Sequence, residues 1–211
     1  MAFTLCVTNG DDMSEKRATK LWGCLFPLVA VVVIGAAFAV YLLMQRDAER
    51  DHPAAAAPDL CAVLGDLPAR VVPHGEQEKE ATYMSGSDAS CVYSTADGRP
   101  AGSEDYGFLR TRLLRYGQIG SASGPDRAAE TFERECAAGF TAGPSGAVSG
   151  LGDAACAAYS DEGEGGTADG SMVVRRGADL FWVDYYVHPE LAAKAEEVIG
   201  ETARTLLDGV A

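Results

Sequence analysis

Arg110, Arg112 and Arg115 form the one basic cluster on a stretch patterned as a strand. In an acidic chain they would line an anion-binding cleft, or pair across strands with acidic neighbours on a wet sheet face. The second is the ordinary use of such arginines and is the expectation here. Trp182, Tyr185 and Tyr186 offer aromatic faces for stacking, against their common use as core and sheet-face residues. Arg110, Arg112, Trp182 and Tyr186 are therefore the candidate ligand contacts.

The remaining constellations point away from catalysis. Gly150-x-Gly152-x-x-Ala155 carries the letters of a dinucleotide fingerprint. No apolar strand precedes it, and Ser160-Asp161 ends the next segment too early for a helix, so a tight turn entering a strand is predicted. Asp161, Glu162, Glu164 and Asp169 have calcium-type oxygens but not the EF-hand spacing; they read as a solvated hairpin loop. His52, His74 and His188 are too few and too scattered for zinc, and neither H-E-x-x-H nor C-x-x-C occurs. Gly143-Pro144-Ser145-Gly146 is not a G-x-S-x-G nucleophile elbow. No catalytic residue, metal ligand or cofactor is assigned.

These residues must be positioned by secondary structure, which the patterning supplies from residue 59 onward. Asp59 caps a short helix over residues 60–64, stopped by Gly65. Residues 69–72 suggest a strand and 74–88 a polar loop. Ser90–Thr95 reads as a strand closed by Asp97-Gly98. Tyr106–Tyr116 reads as a long strand, with Phe108, Arg110, Arg112 and Leu114 on one face and Leu109, Thr111 and Leu113 on the other. Pro125 opens a helix whose stripe is Ala128, Phe132, Cys136 and Phe140. A strand over 154–160 follows. Residues 171–176 and 179–188 form a hairpin, and Pro189 starts a last helix with Leu191, Ala195, Val198, Thr202 and Leu206 on one face. The order α-βββ-α-βββ-α, with consecutive strands, predicts an α+β domain: an antiparallel sheet packed with helices.

The chain has 211 residues, 47% hydrophobic and 23% charged, long enough to bury a core. One asparagine, three isoleucines and 13 arginines against four lysines suit a GC-rich coding sequence. Leu21–Met44 is a run of 24 uncharged residues. As a helix it would run ~36 Å, enough for a ~30 Å hydrocarbon core. The 20 residues before it and the run itself are long for a cleaved signal peptide. Ala37-Phe38-Ala39 lies inside the run, and the lipobox-like Leu21-Trp22-Gly23-Cys24 stands before it. A single uncleaved transmembrane helix over 21–44 is expected, with a cytoplasmic tail at 1–20, a linker at 45–58 and an extracytoplasmic domain at 59–211. Lys16, Arg17 and Lys20 against Arg46 and Arg50 give the orientation.

Cysteines and charge follow the same partition. Cys61, Cys91, Cys136 and Cys156 lie beyond the run, an even count that suits disulfides outside the cytoplasm, against the alternative of buried free thiols. Four cysteines allow three connectivities. Twelve basic against 26 acidic residues in 51–211 account for the whole net charge of −14. That balance excludes nucleic acid as a partner, because phosphate binding needs clustered Lys and Arg.

Several short motifs then add up: the cysteine-bearing Pro58–Leu64, Cys91-x-Tyr93, the cysteine-bearing helix over Ala128–Phe140, Gly150-Leu151-Gly152-Asp153-Ala154-Ala155, the 173–187 hairpin and an alanine-rich closing helix. Over roughly 59–208 the chain resembles actinobacterial cell-envelope domains of unknown function found in lipoproteins. It is also similar to the extracellular sensor domains of some mycobacterial serine/threonine kinases. The resemblance implies an α+β sandwich, an extracytoplasmic role, no catalytic residues, and the pairings Cys61–Cys91 and Cys136–Cys156. The chain departs from it by lacking a lipobox and a kinase domain. The expected function is a membrane-anchored domain that binds a small ligand or an envelope protein without catalysis. The alternatives are a structural or assembly component of the envelope and a cryptic hydrolase.

Overall fold

The computed structural model describes residues 32–42, 51–96, 104–163 and 165–210. The chain divides into residues 1–49 and 50–211, each taken by itself. In the first, residues 32–42 form helix α1, apolar and exposed on every side. No helix among the described residues is long and apolar enough to cross a membrane. The ends of the expected 21–44 span, the 1–20 tail and residues 43–50 lie outside the described residues.

The second unit is an α+β domain built on one antiparallel eight-stranded sheet. Helix α2 (Leu60–Leu64) starts where predicted, because the Asp59 carboxylate accepts the amides of Cys61 at 2.9 Å and Ala62 at 3.2 Å. Gly65 ends it with φ 61°, open to glycine without cost. The strand expected at 69–72 is instead helix α3 (Leu67–Val71). Pro68 sits in its first turn, where the missing N–H is no loss, and the packing of Leu67 and Pro68 outweighs the strand preference of Val71 and Val72. The polar segment 74–88 holds two short strands, β1 (Gly75–Gln77) and β2 (Tyr83–Ser85). Both pair with β3 (Asp88–Thr95), one toward each end of it.

Then follow β4 (Tyr106–Arg115), helix α4 (Gly124–Ala138), β5 (Gly146–Val148), β6 (Ala154–Asp161), β7 (Ala168–Arg176), β8 (Asp179–His188) and helix α5 (Ala192–Gly209). The order is thus αα-ββββ-α-ββββ-α: the short strands β1, β2 and β5 are added to what patterning shows, and one predicted strand is the helix α3. Pro125 lies in the first turn of α4, behind a Ser123 cap. Helix α5 begins three residues after Pro189, where the Ala192 amide donates to Asp161 Oδ2 at 2.8 Å. The sheet order is β1-β3-β4-β8-β7-β6-β5, with β2 also on β3. The β7–β8 turn is Gly177-Ala178, with positive φ only at the glycine, the requirement of a tight II′ hairpin.

Alternation gives the sheet two faces. Leu109, Thr111 and Leu113 of β4 are buried with Phe181, Val183 and Tyr185 of β8 under α2, α3 and α5, which contribute Leu60, Leu64, Leu67, Ile199 and Leu206. Gly170 of β7 lets α5 approach this face, since a Cβ there would stand 2.6 Å from Ile199 Cδ1. On the other face Ala128, Phe132 and Cys136 of α4, with Phe140 just past its end, pack with Cys156, Val173, Leu180 and Trp182. Each helical layer is stapled to the sheet: Cys61 of α2 to Cys91 of β3, and Cys136 of α4 to Cys156 of β6, with Cα separations of 5.2 and 6.0 Å.

The stretch expected as a linker does not end at 58 as a free segment. Residues 51–57 lie along the domain: His52 and Gln118 exchange both backbone hydrogen bonds, the Ala57 amide donates to Gly86 at 2.7 Å, and Arg115 Nη1 donates to Ala56 O at 3.1 Å. A Cβ on Gly117 would sit 2.3 Å from His52 O, so the strap needs glycine beneath it.

Closing the Cys136–Cys156 loop of 20 residues should contribute about 3 kcal/mol through the unfolded state. Replacing both cysteines with alanine is expected to lower unfolding stability by about that amount, read from urea denaturation of the full chain. An unchanged midpoint would count against the staple.

Candidate functional site

The outer face is best described by rows that cross the strands in register. The first row is Ser94, Phe108, Tyr186, Asp169 and Ser160, on β3, β4, β8, β7 and β6. The second is Val92, Arg110, Asp184, Ser171 and Ala158. The third is Ser90, Arg112, Trp182, Val173 and Cys156. Helix α4 covers the third row from Trp182 to Cys156. The first two rows carry no helix. There the small side chains of Ser160 and Ser171 border an open cleft of about 430 Å³, lined among others by Phe108, Arg110, Asp169, Asp184 and Tyr186. Thr141, just past α4, and the turn after β6 rim it.

All four candidate ligand contacts stand on this face, and the structure divides them. Arg110 and Tyr186 line the cleft, while Arg112 and Trp182 lie beside it as a pair, the guanidinium 5.4 Å from the indole centroid. Each arginine is also paired with an acid, as expected of a wet sheet face. Arg110 Nε and Nη2 donate to Asp184 Oδ2 at 3.0 and 2.7 Å. Arg112 forks onto Asp88, Nε to Oδ1 at 3.0 Å and Nη2 to Oδ2 at 2.7 Å. The Arg112 hydrogen bond holds the Asp88 carboxyl below its ordinary range. Arg115 leaves the cluster: it points to the other side, with Nε 3.4 Å from Asp179 Oδ2 and Nη1 on the strap. Tyr185 is core, its hydroxyl donating to Val71 O at 2.7 Å, and burial pushes that hydroxyl upward.

Inside the cleft most polar groups are committed. Asp184 Oδ1 accepts from Ser171 Oγ at 2.8 Å, so both its oxygens are taken. Asp161 accepts the Gly163 and Ala192 amides, and Glu162 accepts the Thr167 amide. Asp169 differs. Burial pushes its carboxyl upward, the Gly170 amide pulls it back, and the charge of Asp184 adds to the rise. Its acidic-loop reading is corrected by β7, which begins at Ala168 and carries Asp169 into the sheet, while Asp161 is the last residue of β6. Beside it stands an aromatic ladder. Phe108 stacks on Tyr186 at 5.4 Å, Tyr186 meets Tyr106 edge-on at 6.1 Å, and Tyr106 stacks on His188 at 5.0 Å.

The remaining residues singled out by type lie away from the cleft or at its edge. Gly150 and Gly152 take positive φ in a turn that enters β6 directly, with no helix after it. His52 lies in the strap, His74 stands 3.7 Å from Asp105, and His188 joins the ladder. Among the described residues no group of three or more His, Cys, Asp or Glu could hold a metal ion. The cleft residues that patterning missed are Asp169, Ser171 and Asp184; their alternation was readable, but not the register that faces them to Arg110 and Tyr186. Searches found no family model, curated protein or solved structure that matches the chain.

Asp169 and Asp88 should titrate with opposite effects on stability. The native Asp169 carboxyl holds its proton more tightly than the unfolded one, so ionisation works against folding as pH rises. Asp169→Asn is expected to raise the thermal midpoint at neutral pH, and the gain to vanish in acid. Asp88, shifted down, stabilises above its unfolded value and loses that as pH falls through its folded one. Asp88→Asn is expected to lower the midpoint at neutral pH and to matter less toward pH ~3. Shifts of the same sign in both variants would contradict the assignment.

Proposed function

We propose that the chain is a single-pass membrane protein whose C-terminal domain stands outside the cytoplasm and binds a ligand or partner in the cleft beside Tyr186, without catalysis. The cleft carries the reading: half of one sheet face is left open by α4, and it is lined by an arginine held in place by Asp184 and by an aromatic wall. Ligand sites are concave, with few placed polar groups beside apolar surface. Two disulfides support an oxidising location for the domain. The membrane part rests on the uncharged 21–44 run, of which 32–42 is a helix apolar all round, the pattern of a segment made for lipid. The likeness of the motifs to actinobacterial envelope and sensor domains belongs to the same proposal. An assembly role would want one broad apolar patch. Among the described residues of the domain the exposed large hydrophobics are Tyr83 and Met84 on β2, Ile119 after β4, Tyr186 on β8 and Leu191 before α5, spread over four segments of the chain.

Two measurements test this. Alkaline carbonate extraction should leave the full chain in the membrane pellet, and protease added to intact cells should cut only on the 59–211 side; release to the supernatant refutes the anchor. A ligand-observed NMR screen of small polar fragments against the full chain in nonionic detergent should give hits that Tyr186→Ala abolishes with its thermal midpoint preserved. Hits indifferent to that change, or none, refute the cleft.

A further inference from the structure

We infer that the cleft selects ligands carrying a protonated amine, with Asp169 as the counter-ion and the free side of the Tyr186 ring as the second contact. The inference rests on the reading of the cleft as a binding site and names the chemistry it takes. Its basis is one register row. Tyr186, Asp169 and Ser160 stand on adjacent strands, about 4.8 Å apart. Phe108 on β4 stacks on the Tyr186 ring at 5.4 Å, and Asp169 is the in-register neighbour of Tyr186 on the strand to the other side, β7. Ser160 is small, so the space above the carboxylate stays open.

The charges around this slot leave one role unfilled. Asp184 has Arg110 and Ser171, Asp161 has two amides, and Glu162 has one. Asp169 has no cation and no side-chain donor among the described residues. An ammonium group would give it a charge-assisted hydrogen bond and would at the same time meet an aromatic face at cation–π distance. An anionic ligand finds no free cation here, because the Arg110 charge is already met by Asp184, and the surrounding field is negative. A neutral polyol could stack on Tyr186 but would leave the carboxylate without a counter-ion.

The test uses the full chain in a sugar-free nonionic detergent, with saturation-transfer NMR titrations of n-butylammonium and spermidine, and of methyl glucoside and acetate for comparison. The ammonium probes are expected to bind. Asp169→Asn should weaken them roughly tenfold or more and Tyr186→Ala about three- to tenfold. Glu133→Gln, on the exposed side of α4, removes the same charge from the protein and should change nothing. Thermal midpoints of the three variants report that each is folded. Silence of both ammonium probes overturns the inference, as does equal weakening by Glu133→Gln, which would mean attraction to bulk charge. If methyl glucoside or acetate binds in a Tyr186-dependent way while the ammonium probes do not, the amine falls and the binding cleft stands. If no probe and no fragment responds to Tyr186→Ala, both fall.

Discussion

Ten residues of β4 pair with ten of β8, from Tyr106 opposite His188 to Arg115 opposite Asp179, and this ladder joins the first half of the domain to the second. Strand periodicity is two, so a slip of one residue would exchange the faces of every side chain in it. In the observed register Leu109, Thr111 and Leu113 go down with Tyr185, Val183 and Phe181 into the core. The same register puts Arg110 against Asp184 and Arg112 against Trp182 on the outer face. A slip of β4 would bury the guanidinium groups of Arg110 and Arg112 and expose Leu109 and Leu113, and either alone costs several kcal/mol. The core therefore enforces the geometry of the cleft, and the cleft residues need supply little of the energy that places them.

The outer face shows how an acidic domain spends its few cations. Arg70, Arg110, Arg112, Arg115, Arg175 and Arg176 each stand within 4 Å of a carboxylate. Arg176 also donates to the carbonyls of Leu207 and Val210, closing the C-terminal end of α5, where a cation favours the helix dipole. Most of these pairs are partly exposed, so each contributes modestly to stability. Their larger effect is on the field: cations consumed in pairs leave the surplus of acid unopposed, at the surface and in the cleft alike.

Much of this was legible from the residues. Asp59 and Gly65 bracket α2, Pro125 opens α4, and the alternation in β4 and the Gly177 turn follow from local rules that tertiary structure did not overturn. What stayed hidden depends on partners distant in the chain. Strands β1 and β2 have mostly exposed side chains and no apolar alternation; hydrogen bonds to β3 make them strands. Residues 69–72 carry strand-forming valines, yet Pro68 and the burial of Leu67 fold them as a helix. In the site, Arg110 and Tyr186 were recognisable by type. Asp169 looked like one more acid in a solvated loop, because nothing local reveals that β7 extends back to Ala168.

The two disulfides divide the labour between the faces. Cys61–Cys91 ties α2, only five residues long, to the buried side, where α5 already packs across β6, β7 and β8. Cys136–Cys156 ties α4 to the outer side, where that helix packs on β7 and β8. Ser145 adds a hydrogen bond to the Cys136 carbonyl, and Phe140 and Gly143 exchange backbone bonds just beyond, so the segment carrying Thr141 leaves the helix in a defined turn. The second staple thus sets how far α4 extends over the sheet, and with it where cover ends and the cleft begins. Loss of that bridge would free the cleft's rim before it disturbed the cleft's floor, which belongs to the sheet.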